Sequence, residues 1–345
     1  MKRYLLTKGN YYKANLHCHS TLSDGKWTVE EIKQRYMEKG YSVIAYTDHE
    51  RLFPHNDLSD EHFLALNGYE YAVNKPDGSN RTCHLNMFCK TPDIDKPVGF
   101  DAPDEGYWHR EYSVPFINKV IADANANGFF VSVNHPAWSL QTFTDYKDLE
   151  GLWAIEMYNH SSVGEGFHED SNHIYDKMLR AGKRLYATST DDNHNGRGEY
   201  DSFGGFDMIR SDMLDYASIV DALVKGDFYS SCGPLFDEIY IEDDLVHIKC
   251  SPVREIRMLT EGRDGMIARW KDGLCAATSS KATALDFRAS LHEGDSLTEA
   301  VFELDRDFCG KYIRFDLRDK QGRFADTRAY FFDEWEASDK GGDAK

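Results

Sequence analysis

No stretch of this 345-residue chain approaches the roughly 18 consecutive apolar residues of a membrane helix, so a helical membrane span is not expected. There is no Cys-x-x-Cys pair, and the seven cysteines at 18, 83, 89, 232, 250, 275 and 309 form an odd, dispersed set. A disulfide framework is therefore not expected, and the thiols read as reduced and buried in a reducing compartment. Positive charge is scarce as well. Forty Lys and Arg against 59 Asp and Glu leave a net charge of -19, the wrong sign for non-specific attraction to nucleic acid. An anionic ligand has to be drawn in locally, for instance by metal cations. The first ten residues are partly basic but lack the apolar core of a signal peptide, which gives a cytoplasmic expectation with no membrane partner. Histidine is scarce in the last part: of 14, only His247 and His292 lie beyond position 194. Whatever uses imidazole is in the first part.

What remains is an ordinary globular composition, 41% apolar and 29% charged, in a chain long enough for one large domain or a large and a small one. Ala14-Asn15-Leu16-His17-Cys18-His19 reads as a short strand whose alternation sends His17 and His19 to one side. Thr28-Val29-Glu30-Glu31 is a capping box opening a helix that Gly40 stops. Tyr41–Tyr46 then reads as a buried strand delivering Thr47-Asp48-His49. Asn67–Tyr71, Cys83–Phe88, Phe129–Val133, Leu152–Tyr158 and Arg184–Thr190 read as further strands, with helices over 113–127 and 168–181. The irregular stretch 90–112, with Pro92, Pro97, Gly99, Pro103 and Gly106, is too long for a simple connector and reads as a lid or substrate loop. Repeated strand and helix units argue for a parallel sheet or barrel, in which functional groups gather at the C-terminal strand ends. Beyond Ser231-Cys232-Gly233-Pro234 the pattern turns to short alternating runs, as in Glu238–Glu242, Leu245–Cys250 and Tyr312–Leu317. These describe a small antiparallel β domain, a packing or oligomerisation module. The expected organisation is 1–233, then 234–336, with 337–345 as a disordered tail.

Nine candidate metal ligands emerge in order: His17, His19, Asp24, His49, Glu70, His84, His135, Asp192 and His194. Six imidazoles and three carboxylates suit Zn, Fe or Mn rather than Ca or Mg alone. One tetrahedral zinc would use four of them, so two or three ions are expected.

This order, His-x-His-x4-Asp-Gly, Thr-Asp-His, a strand Glu, a lone His, His-Pro and Asp-x-His, resembles the polymerase and histidinol phosphatase (PHP) family of metal-dependent phosphoesterases over residues 12 to 232. The resemblance implies a distorted seven-stranded β/α barrel. It also implies three metal sets: His17, His19, Glu70 and Asp192; Glu70, His84 and His135, with Glu70 bridging; and Asp24, His49 and His194. Some members carry His where this chain has Asp24, which leaves the metal's identity open. A hydroxide bridging two cations is nucleophilic at neutral pH because the metals lower the pKa of water from about 15.7 towards 7. In-line attack on a phosphate ester would then need no Ser or Cys nucleophile, with the cations neutralising charge on the phosphoryl oxygens.

Asp48 reads as a carboxylate orienting an imidazole ligand from behind. Arg197, His160, His109 and Arg110 are candidate contacts to a phosphate, and Tyr107 and Trp108 to a base or sugar. The expected partner is a small phosphorylated metabolite of nucleotide or sugar-phosphate type, and the oligomeric state stays open. Two other readings remain: the same metals acting on a carboxylic ester, amide or carbamate, or a structural metal site joined to a β binding module.

Overall fold

The computed structural model describes residues 2–96, 110–168, 173–263, 265–271, 274–279, 292–293 and 296–335. Two compact units divide the chain, one of Asn10–Ser230 and one combining Met1–Gly9 with Ser231–Lys345.

The chain starts with β1 (Arg3–Leu6), which belongs to the second of these units. The first unit follows as β2 (Tyr11–Asn15), α1 (Val29–Glu38), β3 (Val43–Tyr46), β4 (Leu64–Asn74), β5 (Thr82–Cys89), α2 (Val114–Ala126) and β6 (Phe129–Val133). It continues with α3 (Phe143–Tyr146), β7 (Ala154–Asn159), α4 (His160–Gly164), α5 (His173–Arg180), β8 (Tyr186–Thr190), β9 (Phe206–Arg210) and α6 (Tyr216–Lys225). β10 (Phe228–Ser231) spans the junction.

The capping box read at Thr28 and Glu31 forms as expected and starts α1, which buries Ile32 and Tyr36. Successive residues of β3 serve two apolar clusters. Val43 and Ala45 pack with Leu16, Leu66, Phe130 and Trp153, whereas Ile44 and Tyr46 pack with Ile32, Tyr36, Tyr41 and Phe63. A strand covered on both faces reads in sequence as the unbroken apolar run seen here.

The sheet runs β9-β2-β3-β4-β5-β6-β7-β8. β2 pairs parallel with β3, β3 with β4, β6 with β7 and β7 with β8. β9 on β2, β4 on β5 and β5 on β6 are antiparallel. No ladder joins β8 to β9 among the described residues, so the sheet is open. The fold is α/β, but the closed seven-stranded barrel expected from the sequence is not what these ladders form. The physical reason is local. Only a short turn containing Gly78 separates β4 from β5, and strands joined so closely have to pair antiparallel, since a parallel pair needs a longer crossover. β5 and β9 therefore oppose the other six strands.

The second unit holds β11 (Phe236–Glu242), β12 (Leu245–Val253), β13 (Glu255–Thr260), β14 (Met266–Lys271), β15 (Leu274–Ser279), β16 (His292–Glu293) and β17 (Ser296–Glu303). After these come α7 (Arg306–Cys309), β18 (Tyr312–Arg318), β19 (Phe324–Thr327) and β20 (Tyr330–Phe331). Among the described residues its ladders are antiparallel in the order β1-β11-β12-β17-β16 and, separately, β15-β14-β13-β18, with β19 and β20 on β18. Residues 1–9 thus leave the expected 1–233 unit. β1 completes its hydrogen bonds on β11, more than 200 residues away, and short-range pattern carries no trace of such a partner. Within this unit the fully buried Arg314 is paired with the buried Asp326.

The cysteines at 18, 83, 89, 232 and 250 are free and buried, and Cys309 is buried too. Among the described residues, no helix is long and apolar enough to cross a membrane. The expected tail, 337–345, and most of the irregular stretch, 97–109, lie outside the described residues.

Candidate metal centre

Strand direction gathers the nine candidate side chains. His17 and His19 follow β2, His49 follows β3, His135 follows β6 and Asp192 and His194 follow β8, all at C-terminal ends of strands running the same way. His84 sits near the start of β5, which runs the other way and so begins on the same side. Glu70 comes from the middle of the long strand β4, bridged to His49. The first and last segments are stitched together, with Asp192 N donating to His17 O at 3.0 Å and His19 N to Asn193 O at 3.1 Å. Gly25 is required because a Cβ there would lie 2.3 Å from His19 O, a backbone atom that cannot step aside. His135 and Asp192 both carry positive φ, 27° and 55°, a strained conformation of the kind held at functional sites by surrounding structure.

All nine side chains lie in three of four overlapping groups, the fourth joining His17 and His135 to Glu156. In the first, His17 Nε2 and His19 Nε2 are 3.1 Å apart. Asp192 Oδ1 lies 3.1 and 3.0 Å from them, and Glu70 oxygens 3.3 and 3.4 Å. A tetrahedral ion with bonds of about 2.0 to 2.1 Å holds its donors roughly 3.3 Å apart. Asp192 Oδ1 and Glu70 Oε2 are buried and have no hydrogen-bond partner, as is His19 Nδ1. Orphaned buried carboxylate oxygens facing imidazole nitrogens are unfavourable unless a cation satisfies them. The donor set therefore fits a divalent metal.

The second group surrounds Glu70 Oε1, with His84 Nδ1 at 3.1 Å and His135 Nε2 at 3.2 Å, and Asn134 Nδ2 donating to the same oxygen at 2.8 Å. The third surrounds Asp24, with His194 Nε2 at 3.4 Å and His49 Nε2 at 3.6 Å. His19 joins it through Nδ1, 3.9 Å from Asp24. His49 turns its other nitrogen to Glu70 Oε2 at 3.0 Å. The cluster opens to solvent on this side: the side chain of Asp24 is 56% exposed, that of His194 30% and those of His17 and His19 0%.

The electrostatics follow from this packing. Burial opposes charge on His17, but Asp192, Glu156 and Glu70 outweigh it and raise its pKa well above the ordinary imidazole value. Against the same opposition from burial, Glu70 and Asp192 bring His135 to about 9, and Asp24 and Asp192 bring His194 to about 9. Burial and the neighbouring His194 and His49 lower His19 to about 4. Despite burial, the surrounding imidazoles hold Glu70 and Asp192 well below the usual carboxylate range. A field that draws protons onto imidazoles draws a divalent cation into the same place.

Several expectations change. Among the described residues no hydrogen bond joins Asp48 to an imidazole. Asp48 accepts from Ser20 N and Ser20 Oγ, each at 2.8 Å, and from Ser23 Oγ at 2.7 Å, so it braces the turn that carries Asp24. Adjacent residues on extended chain point to opposite sides, so His49 enters the cluster while Asp48 turns to the serines. Arg110 is held by both Glu50 oxygens, at 2.9 and 2.8 Å, and by Ala72 O, over the ring of Tyr71. Its fork is committed to anchoring the chain rather than to a ligand. His160 opens α4 and meets Tyr158 Oη at 2.8 Å, outside the three groups. Arg197 is exposed three residues past His194. His109, Tyr107 and Trp108 lie outside the described residues.

Glu156 is not among the residues that the motifs single out. This fully buried carboxylate accepts from His17 Nδ1 at 2.7 Å and Thr190 Oγ1 at 2.7 Å on one oxygen, and from His135 N at 2.9 Å and Asn159 Nδ2 at 3.1 Å on the other. Its signal was present: a lone carboxylate inside the apolar run Leu152–Tyr158 needs buried partners.

No family model matches the chain, and no curated protein does. Solved structures do. One, from Bacteroides vulgatus, is described as a two-domain protein containing a predicted PHP-like metal-dependent phosphoesterase. It is 12% identical, with a TM-score of 0.43, covering 96% of this chain and 98% of that one. Another is an amidohydrolase from Chromobacterium violaceum with bound sulfate and no metal, 15% identical at a TM-score of 0.39 over 62% of this chain and 96% of that one.

Proposed function

We propose that this chain is a metal-dependent hydrolase of phosphate esters of small metabolites. The observation carrying this reading is the convergence of His17 Nε2 and His19 Nε2, 3.1 Å apart, on the buried Asp192 Oδ1, which lies 3.1 and 3.0 Å from them and accepts no hydrogen bond. In this reading His17, His19, Glu70 and Asp192 hold one divalent ion; Glu70, His84 and His135 a second; and Asp24, His49 and His194 a third. Zn, Fe or Mn would supply Lewis acidity and a lowered water pKa there.

The chain's own residues do the rest. Glu156 keeps the proton on His17 Nδ1, so that Nε2 presents its lone pair to the cluster. Glu70 reaches two groups with its two oxygens and fixes their spacing. The hydroxyls of Ser20 and Ser23 are bonded to Asp48, and burial, with Asp48 next, pushes the Cys18 thiol well above its ordinary pKa. An anion with several charged oxygens suits three adjacent cation positions in a protein of net charge -19, where attraction has to be local.

The test is a panel of phosphomonoesters and diesters, with p-nitrophenyl acetate and simple amides as controls. It is run on protein stripped by chelator and on protein reloaded with Zn, Fe or Mn, with metal content measured in parallel. Reloading is expected to restore phosphoesterase activity as two to three equivalents bind. Full activity after stripping, or turnover of carboxylic esters or amides alone, would sink the reading.

A further inference from the structure

Of the tryptophans whose side chains are described, Trp138 alone counts as exposed, at 37%. It stands three residues past His135, inside a turn closed by Ser139 N to His135 O, Leu140 N to Ala137 O and Gln141 N to Pro136 O. Its ring centroid is 5.0 Å from that of His135 and 5.6 Å from that of His84, the two imidazoles of the second group. Its Nε1 donates to Glu165 Oε2 at 3.0 Å, which fixes the indole's orientation. A large aromatic held rigid yet open to water forgoes the stabilisation of burying its surface, and beside a polar cluster it offers a preorganised wall.

Two more exposed apolar side chains stand close to Trp138 in the chain or against its neighbours. Gly164, next to Glu165, packs on the ring of Tyr200, itself 37% exposed. Leu140, two residues past Trp138, is 44% exposed. The carboxylate of Glu165 sits at the indole nitrogen and offers an acceptor to a hydroxyl or amine of a ligand.

We propose that Trp138 forms the wall of a leaving-group subsite, and that the substrate is a phosphate ester whose other half is planar and aromatic. The ester oxygens face the imidazoles while the planar half stacks on the indole. This rests on the phosphoesterase reading above and narrows its substrate class.

The experiment uses the full chain loaded with metal, as wild type, Trp138→Phe and Trp138→Leu. Binding of benzylphosphonate and ethylphosphonate is measured by calorimetry, and hydrolysis of benzyl and ethyl phosphate is followed beside it. The two esters release alkoxides of similar basicity, so their ratio reports recognition rather than leaving-group chemistry. Wild type is expected to favour the benzyl compound at least tenfold in both assays, and Trp138→Phe to keep most of that ratio. Trp138→Leu should bring that ratio within twofold, which a general loss of structure or of metal, acting on both compounds alike, would not produce. Hydrolysis of both esters without a benzyl preference, or a preference that survives in Trp138→Leu, overturns the subsite and leaves the phosphoesterase reading intact. A benzyl preference in binding with hydrolysis of neither ester supports the subsite and overturns the phosphoesterase reading.

Discussion

Glu156 Oε1 lies 2.7 Å from His17 Nδ1, and the four donors around Glu156 fill both of its oxygens. A carboxylate can accept from all four, whereas an amide has only one accepting oxygen and would set its NH2 against other donors. Carboxylates placed behind metal-binding imidazoles fix the tautomer and raise ligand basicity. Glu156→Gln is therefore expected to weaken metal binding by about 10 to 100-fold. Metal titration by calorimetry checks this, and unchanged affinity would remove Glu156 from the site.

The stability of the metal-free protein is expected to depend on pH in a defined direction. His135 and His194 rise from 6.5 in the unfolded chain to about 9 in the fold, so their contribution is fully present below about pH 6.5 and is lost as pH passes through 9. His19, lowered to about 4, acts oppositely and withdraws stability as pH falls from 6.5 through 4. Chelated protein should thus show Tm falling between pH 6.5 and 9. Metal-loaded protein should not, because cations replace the protons on those imidazoles. Parallel melts across this range decide it, and identical profiles would count against a shared proton and metal site.

Gly25→Ala places a methyl group 2.3 Å from His19 O and 2.9 Å from Ser20 N. The backbone carrying His19 or Asp24 has to shift, at a cost of about 1 to 3 kcal/mol. The variant is expected to melt lower and to lose metal equivalents. Full metal content by elemental analysis would show that the turn tolerates the change.

Arg110→Ala separates anchoring from substrate binding. It removes the charge-assisted bonds to Glu50 and leaves that carboxylate partly buried, so a loss of about 2 kcal/mol is expected in denaturant unfolding. KM for a phosphate ester should move less than threefold. A large rise in KM at unchanged stability would restore Arg110 as a substrate contact.

Local chemistry explains how much was legible. The capping box at Thr28, the breaks at Gly40 and Gly128 and the apolar run of β3 are decided by neighbours a few residues apart, and these elements stand where the pattern put them. His17, His19, Asp24, His49, Glu70, His84, His135, Asp192 and His194 were readable because imidazoles and carboxylates at strand ends are costly anywhere but in a common polar cluster. By itself the sequence determined these residue types, their order and the acidic surface that any anion has to overcome. Only the tertiary structure decided that no ladder joins β8 to β9 among the described residues, which leaves the sheet open. It also took β1 to β11, turned Asp48 to the serines and set Glu156 behind His17. Each of those depends on which distant backbone or side chain offers the complementary hydrogen bond, and spacing along one chain does not encode that choice.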